Sequence, residues 1–597
     1  RCNFIKGEIM GIVLKGIELE NFKSYANKQY IQFSDLSVLL GANSSGKSTA
    51  LQALLMLKQT MECNSPDEEL LLSGKYVALG DYDDVISDSV TGSFSLAVTL
   101  KQTEKSENML DEDNFKICWN FKRDVDSASA ILNYIDVYFE NMHLSLKRVS
   151  KGLFDLYIND ERIVFSVNIH NLLLSNYVVH YDTKLNSKAS ELINVLSQTL
   201  ISQKTTTVAM DEPVGINAIR EFYIRLLDRL QEKEIDKISL TEDTYNLALR
   251  VEKLIDEFVN LELPMYGSAN RIIPKDLRIR ILELSFANLN SLEQLVNILT
   301  VYESYISNYK CSIPATSQLQ GSYHLKGNPF WLLDRDDEKR NNLTQLKYAL
   351  DFYNIFYTDI ISKIFFVGPI RETPKGLYNI GFETVPKYVG PTGSYFASVL
   401  LHENKKEKIY ILPSGKEKCT LSDALAEWMI HLNVASAVDV DRKNSFGFSV
   451  SIENMDHIKS DIMNVGIGTS QVLPVLISVL LSEPHEILIF EQPELHLHPY
   501  SQSRLADMFV EFCKQGRKII LETHSEYFLL RLRYHIVKNN YSKESAAINF
   551  FHNTGRTKVW TTNISGLGNI EYPEDFRDET QELLDSILEA ALERKGL

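Results

Sequence analysis

No stretch of the 597-residue chain approaches 18 consecutive apolar positions, so no membrane span is expected and a cytoplasmic protein is the reading. The first ten residues, RCNFIKGEIM, lack an apolar signal core. Met10 reads as a natural start, with the residues before it as upstream extension. Cysteine is scarce and scattered: Cys2, Cys63, Cys118, Cys311, Cys419 and Cys513 form no C-x-x-C pair. That argues against a disulfide or zinc framework and fits a reducing compartment. A basic excess is missing too, since 62 Lys and Arg face 79 Asp and Glu for a net charge of −17. Such a chain has no global attraction to nucleic acid or anionic membrane. Lys405-Lys406-Glu407-Lys408 and Arg531-Leu532-Arg533 leave a local basic groove open, although each reads better as a solvated face. There is no internal repeat, no low-complexity tract and no heptad pattern long enough for an extended coiled coil.

What is present is ordinary in bulk and specific in detail. An apolar content of 44% and a charged content of 24% suit a globular protein of two to four domains. The string Gly41-Ala42-Asn43-Ser44-Ser45-Gly46-Lys47-Ser48-Thr49 fits the phosphate-binding pattern G-x-x-x-x-G-K-[ST] at every fixed position. Glycines let the backbone approach an anion closely and visit positive φ. Gly41, Asn43, Ser44, Ser45, Gly46, Lys47, Ser48 and Thr49 are therefore assigned to ATP binding. Lys47 supplies a cation to the β- and γ-phosphates, and the Ser48 hydroxyl is a Mg²⁺ ligand. The flanks agree. Leu36, Val38, Leu39 and Leu40 read as a buried strand, and Leu51, Leu54 and Leu55 fall at helical spacing, which places a helix N-terminus at the phosphates.

Along the chain, residues 12–40 and 90–180 alternate like strands of an antiparallel sheet. Near residue 185 the period becomes helical: Ile219, Phe222, Leu226, Leu227 and Leu230 trace one face. Strand signals return at 363–367 and 446–452, and residues 470–525 read helix, strand, helix, strand. Four segments follow from this. They are an N-terminal ATPase lobe at 10–184, a helical insertion at 185–350, a C-terminal ATPase lobe at 351–560 and a short module at 561–597.

The C-terminal lobe holds a second set of nucleotide elements. The apolar strand Ile487-Leu488-Ile489-Phe490 runs into Glu491-Gln492-Pro493-Glu494, where Glu491 takes the place of the Walker B acid that holds Mg²⁺. Lys518-Ile519-Ile520-Leu521 runs into Glu522-Thr523-His524-Ser525, which puts His524 on the γ-phosphate side. Gly466-Ile467-Gly468-Thr469-Ser470-Gln471 opens an apolar helix and forms a second anion receptor at its N-terminus. Glu494, His496 and His498 alternate and read either as metal ligands or as a loop that meets a partner subunit, the second being the plainer. Arg371, after Gly368-Pro369, reads as an exposed turn residue or as a nucleotide or interface contact.

This set resembles the ABC-type ATPase heads of the SMC, RecF and OLD group. In that group a G-x-G-x-S-Q stretch is the signature motif, which docks on the γ-phosphate held by a second subunit. The resemblance thus implies a trans role for Gly466, Gly468, Ser470 and Gln471. Asn21-Phe22-Lys23-Ser24-Tyr25 is similar to the group's N-F-[KR]-S element, which adds Lys23 and Ser24 to the ATP-binding candidates. The implied fold is α/β: an ABC-type, SMC-like P-loop ATPase head with an antiparallel β-rich lobe and a helical insertion. The implied cofactors are ATP and Mg²⁺. Glu494-Leu495-His496-Leu497-His498-Pro499, Phe366-Val367-Gly368-Pro369-Ile370-Arg371 and Tyr572-Pro573-Glu574-Asp575-Phe576 resemble a narrower set of stand-alone bacterial ATPases. Several of those act in anti-phage systems of the Septu or retron kind beside a separately encoded effector.

One position departs from the pattern. A second carboxylate normally follows the Walker B acid, and here Gln492 stands there. An amide holds water but takes no proton, and loss of a general base costs about 10²–10⁴ in rate. The expectation is a slow ATPase with Glu491, Gln492 and His524 as catalytic candidates and Ser48 and Glu491 as metal ligands. It forms a homodimer or a higher even homo-oligomer through shared nucleotide sites and controls a separate effector, such as a nuclease, or a nucleic-acid transaction in anti-phage defence. Three readings compete, one of them a non-catalytic scaffold that uses ATP only structurally. A membrane transporter's ATP-binding subunit fits poorly with the insertion at 185–350, and a self-contained OLD-like nuclease calls for clustered acids such as Asp-x-Asp, which residues 525–597 do not contain.

Overall fold

A computed structural model describes residues 12–63, 69–88, 92–102, 114–124, 129–139, 142–179, 311–314, 353, 355–380, 387–443, 447–573 and 586. The chain divides into two compact units. The first contains residues 1–147, 170–173 and 349–597, and the second residues 148–169 and 174–348.

In the first unit, β1 (Ile12–Glu20), β2 (Gln29–Gln32) and β3 (Leu36–Gly41) lead into the loop and into α1 (Lys47–Met61). A short helix, α2 (Tyr82–Val85), precedes β4 (Ser93–Gln102), β5 (Asn114–Arg123), β6 (Ala130–Phe139) and β7 (Met142–Ser150). These strands pair antiparallel in the order β2, β1, β4, β5, β6, β7. Their alternation buries one face, on which Phe94, Trp119 and Phe121 cluster, and Trp119 donates its indole N–H to the Tyr353 hydroxyl at 2.9 Å. In the second unit, β8 (Leu153–Ile158) pairs antiparallel with β9 (Glu161–His170), and β10 (Leu173–Val179) with β11 (Cys311–Pro314). β11 is a strand inside the segment read as helical; the remainder of 185–350 lies outside the described residues.

The site is built on the other sheet of the first unit. β12 (Ile364–Val367), β19 (Ile487–Glu491), β20 (Lys518–Glu522), β3, β21 (Ala546–Asn553) and β22 (Thr557–Thr562) lie side by side in that order. All neighbours are parallel except the terminal hairpin β21–β22. β3 and β20 are buried along almost their whole lengths, as central parallel strands covered on both faces require. Strands from both ends of the chain thus interleave, with β3 between β20 and β21. The lobes read as 10–184 and 351–560 share one sheet.

Between β12 and β19 the chain makes a hairpin, β14 (Lys408–Leu412) with β15 (Gly415–Cys419), and a small sheet of β13 (Tyr378–Asn379), β16 (Ala437–Arg442), β17 (Gly447–Glu453) and β18 (Lys459–Asp461). Helices α3 (Phe396–Glu403), α4 (Leu421–His431) and α5 (Ile467–Leu481) pack there, followed by α6 (Pro499–Lys514) and α7 (Glu526–Val537). Their apolar faces and those of β3, β19 and β20 form one continuous core that includes Leu425, Trp428, Leu476, Leu488, Phe509 and Leu521. Among the described residues no helix is long and apolar enough to cross a membrane.

Candidate functional site

The loop between β3 and α1 is shaped by its glycines. Gly46 sits at φ 101°, and a Cβ there would lie 2.7 Å from Thr557 Oγ1. Ser44 takes φ 60°, a left-handed turn uncommon outside glycine and asparagine. The loop is clamped from outside. The Tyr25 hydroxyl donates to the Gly46 carbonyl (2.8 Å), Thr557 Oγ1 to the Ser45 carbonyl (3.0 Å), and Asn553 Nδ2 to the Ser44 carbonyl (3.1 Å). With these carbonyls occupied by clamps, the loop N–H groups and the N-terminus of α1 are left to face an anion. Ser45 Oγ is buried with no hydrogen-bond partner, an orphan that a phosphate oxygen would satisfy. Lys23 and Ser24 lie beside the loop: Lys23 Nζ donates to Gln52 Oε1 (3.3 Å), and the Ser24 hydroxyl donates to Thr557 Oγ1 (2.8 Å), whose own proton goes to the Ser45 carbonyl.

Lys47 is buried. Its ammonium donates to the carbonyls of Gly41 (2.9 Å) and Ala42 (2.7 Å) and stands 3.8 Å from Glu522 Oε1. Ser48 Oγ donates to Glu522 Oε2 at 2.7 Å. Glu522 is thus the carboxylate in contact with the loop. Glu491 is its register partner on the next strand. Burial, with Glu522 close by, pushes the Glu491 carboxyl up to about 8. Burial also raises Glu522, against the opposing pull of Ser48 and Lys47. Two neighbouring carboxyls with one partly shared ammonium are short of positive charge. A divalent cation between Ser48, Glu491 and Glu522 would supply it, so these residues fit Mg²⁺ as well as the loop fits ATP. Mg²⁺ held by Ser48, Glu491 and Glu522 would supply positive charge against that of the phosphates. Glu522 was not singled out from the sequence. Its signal was its place, one residue before Thr523-His524, at the end of the strand that pairs with β3.

His524 is exposed, and burial of part of its ring together with Lys47 lowers its pKa, which favours the neutral imidazole. Its N–H and the Thr523 hydroxyl both donate to Glu494 Oε1, at 3.0 and 2.6 Å. Glu494 therefore anchors the segment that carries His524. Gln492 takes φ 46° and donates its N–H to the Glu522 carbonyl (2.8 Å), which turns the chain at the end of β19. Among the described residues no group of three or more His, Cys, Asp or Glu is placed to hold a metal, so Glu494, His496 and His498 do not form a metal cluster.

Gly466 is the N-cap of α5, and Ile467 to Gln471 form its first turns. Gly468 packs on the Walker B loop: a Cβ there would meet the His496 carbonyl at 2.4 Å. The Ser470 hydroxyl turns back to the Ile467 carbonyl (2.9 Å), and Gln471 is buried. Among the described residues, no hydrogen bond joins 466–471 to 41–49. Arg371 is the link between α5 and β19. It is buried, not exposed, and donates to the carbonyls of Gln471 (3.2 Å), Glu491 (3.1 Å) and Gln492 (3.1 Å), while its Nε has no partner. Burial lowers its pKa to about 10, so it stays charged at neutral pH.

A phosphate loop on β3, an acid at the end of β19 and a histidine after the intervening β20 make an ABC-type, SMC-like P-loop ATPase head. Two segments of the chain match ATPase-domain families. Residues 13–266 match the family described as AAA ATPase domain, and residues 390–531 that described as AAA domain, putative AbiEii toxin, Type IV TA system. A curated relative, the cytochrome c biogenesis ATP-binding export protein CcmA of Reclinomonas americana, is 26% identical over 114 residues, which cover 19% of this chain and 50% of that protein. The chain thus spans half the length of that relative. Solved structures similar to this chain include two SMC heads. The Pyrococcus furiosus Smc head with an extended coiled coil, bound to the C-terminal domain of ScpA, aligns with TM-score 0.31 and 11% identity over 96% of this chain and 99% of that one. The Thermotoga maritima SMC head aligns with TM-score 0.30 and 10% identity over 92% and 98%.

Proposed function

We propose that this ATPase works as a nucleotide-closed homodimer, in which the Gly466–Gln471 tip of one protomer seals the ATP held in the loop of its mate. The observation that carries the reading is the surface around that tip. Ile370, next to Arg371, is 84% exposed, Ile467 in the first turn of α5 is 63% exposed, and Met463, four residues earlier, and Leu377 are exposed too. Exposed apolar side chains at the start of α5 and in the segment that Arg371 ties to it suit a face that meets another protein surface. Arg371 ties this tip to the Glu491 and Gln492 carbonyls, so closure over one nucleotide is felt at the Walker B end of the other. Turnover is slow, since Gln492 positions water without taking its proton and Glu494 is held by Thr523 and His524.

The closed dimer in turn controls a separately encoded effector, a nuclease being the leading class, in bacterial anti-phage defence. Support for this step is the match of residues 390–531 to a family described by an AbiEii toxin. The test is the steady-state ATPase rate of Ser470→Arg mixed with Lys47→Ala. Each variant alone is expected to be inactive. The mixture pairs an intact loop with an intact tip and is expected to regain about a quarter of wild-type activity by random pairing, following the symmetry of a two-site dimer. A mixture as inactive as its components would refute shared sites.

A further inference from the structure

A cleft of about 520 Å³ opens beside the phosphate loop, between the turn of the β21–β22 hairpin and the residues that follow Tyr25. Asn27, Gln29, Arg556, Thr557, Lys558 and Trp560 line it, and no carboxylate does, in a chain whose net charge is −17. Thr557 belongs to both places. It lines the cleft while its hydroxyl holds the Ser45 carbonyl and Ser24. The same hairpin reaches the loop again through Asn553 on the Ser44 carbonyl.

Strand order gives the cleft a direction. β3 lies between β20 and β21. The carboxylates Glu522 and Glu491, which fit the metal and hence the terminal phosphates, are on the β20 side. A triphosphate whose terminal end points that way sends its other end toward the β21–β22 side, where the cleft is. We propose that this cleft is the subsite for the base and ribose of the bound nucleotide. Trp560 gives a stacking surface for the base, Asn27 offers an amide to its polar edge, and Arg556 and Lys558 give the innermost phosphate a cationic rim, while Gln29 is held by the Val559 N–H and the Lys28 carbonyl and shapes the wall. Its volume lies in the range of small-molecule sites, roughly 300–1,000 Å³.

The inference rests on the ATP-binding reading, so the test uses two ligands. The full chain is titrated calorimetrically with a non-hydrolysable ATP analogue and with inorganic tripolyphosphate, both with Mg²⁺. Wild-type protein is expected to bind both, the analogue more tightly. Trp560→Leu is expected to weaken the analogue about tenfold or more and to leave tripolyphosphate unchanged, whereas Arg556→Ala is expected to weaken both, since both carry an innermost phosphate. Trp560 also packs on the core, so fluorescence gives a second readout that does not need that variant to fold. The analogue is expected to quench emission in wild type and in Arg556→Ala at saturation, and tripolyphosphate is not. Equal losses for both ligands in Trp560→Leu, no loss for either in both variants, or no quenching would overturn the subsite. Wild-type protein that binds neither ligand would instead remove the ATP reading itself, and the subsite with it.

Discussion

Asp507 and Glu522 are both buried carboxylates in the same compact unit, and their surroundings are opposite in balance. Asp507 accepts from Arg531 (Nε 2.6 Å), His535 (Nε2 2.6 Å) and His431 (Nε2 2.8 Å). These partners outweigh the cost of burial and hold its carboxyl far below the ordinary carboxylate range. Glu522 has one serine hydroxyl and an ammonium at 3.8 Å, with Glu491 in register beside it, and both carboxyls are raised. Over-compensated charge ties α4, α6 and α7 together and asks for nothing more. Under-compensated charge beside a phosphate loop is poised to receive a cation. Two acidic centres of similar burial thus separate, by counting their partners, into a saturated tie and a centre short of positive charge.

Lys47→Ala should show the largest effect, because it removes the loop's one ammonium. Nucleotide affinity measured by calorimetry is expected to fall about 10²–10³-fold, the scale of truncating a desolvated charge pair, with the denaturation midpoint little changed. Asp507→Asn should do the reverse. Breaking a buried ion-pair cluster costs about 3 kcal/mol, readable as a lower urea midpoint, and nucleotide affinity should hold. If Asp507→Asn lost nucleotide and Lys47→Ala lost stability, the contrast between the two centres would be void. Gln492→Glu should raise the steady-state ATPase rate about tenfold or more by restoring a proton acceptor. A rate no higher than wild type would place the slow step elsewhere.

The smallest effects are those of pH, and their signs differ. Asp507 is depressed in the folded state, so its stabilisation is complete above the ordinary aspartate value and is lost as pH falls below it. Glu491 is raised, so the folded state favours its proton. Metal-free protein should lose that contribution as pH climbs from the ordinary glutamate range toward 8. Urea midpoints against pH should therefore show an acid limb that flattens in Asp507→Asn and a neutral-to-alkaline decline that flattens in Glu491→Gln.

The parts of the site that lie in one short stretch of chain were legible in the sequence. The glycine pattern at 41–49, the apolar strand before it, the helix after it, and the strand ends at Glu491 and His524 each carry a local signal. What escaped depends on pairings between distant segments. Glu522 gained its role from the register of β20 on β3, Thr557 and Asn553 from a hairpin more than 500 residues downstream of the loop, and Tyr25 from a turn that folds back to Gly46. Arg371 looked like a turn residue because its three carbonyl partners lie 100–121 positions away. Glu494 and His496 share an extended-looking spacing, yet His496 sits at φ 65°, which breaks the alternation that would aim ligands to one side.

The central claim is that nucleotide joins two protomers, each with its own loop and the other's helix tip. Solution mass of the full chain should be read with Mg²⁺, with and without a non-hydrolysable ATP analogue, for wild type and Ser470→Arg. The account predicts that the analogue doubles the wild-type mass while Ser470→Arg binds the analogue and stays single. An analogue-saturated wild-type chain with the mass of one protomer would contradict it.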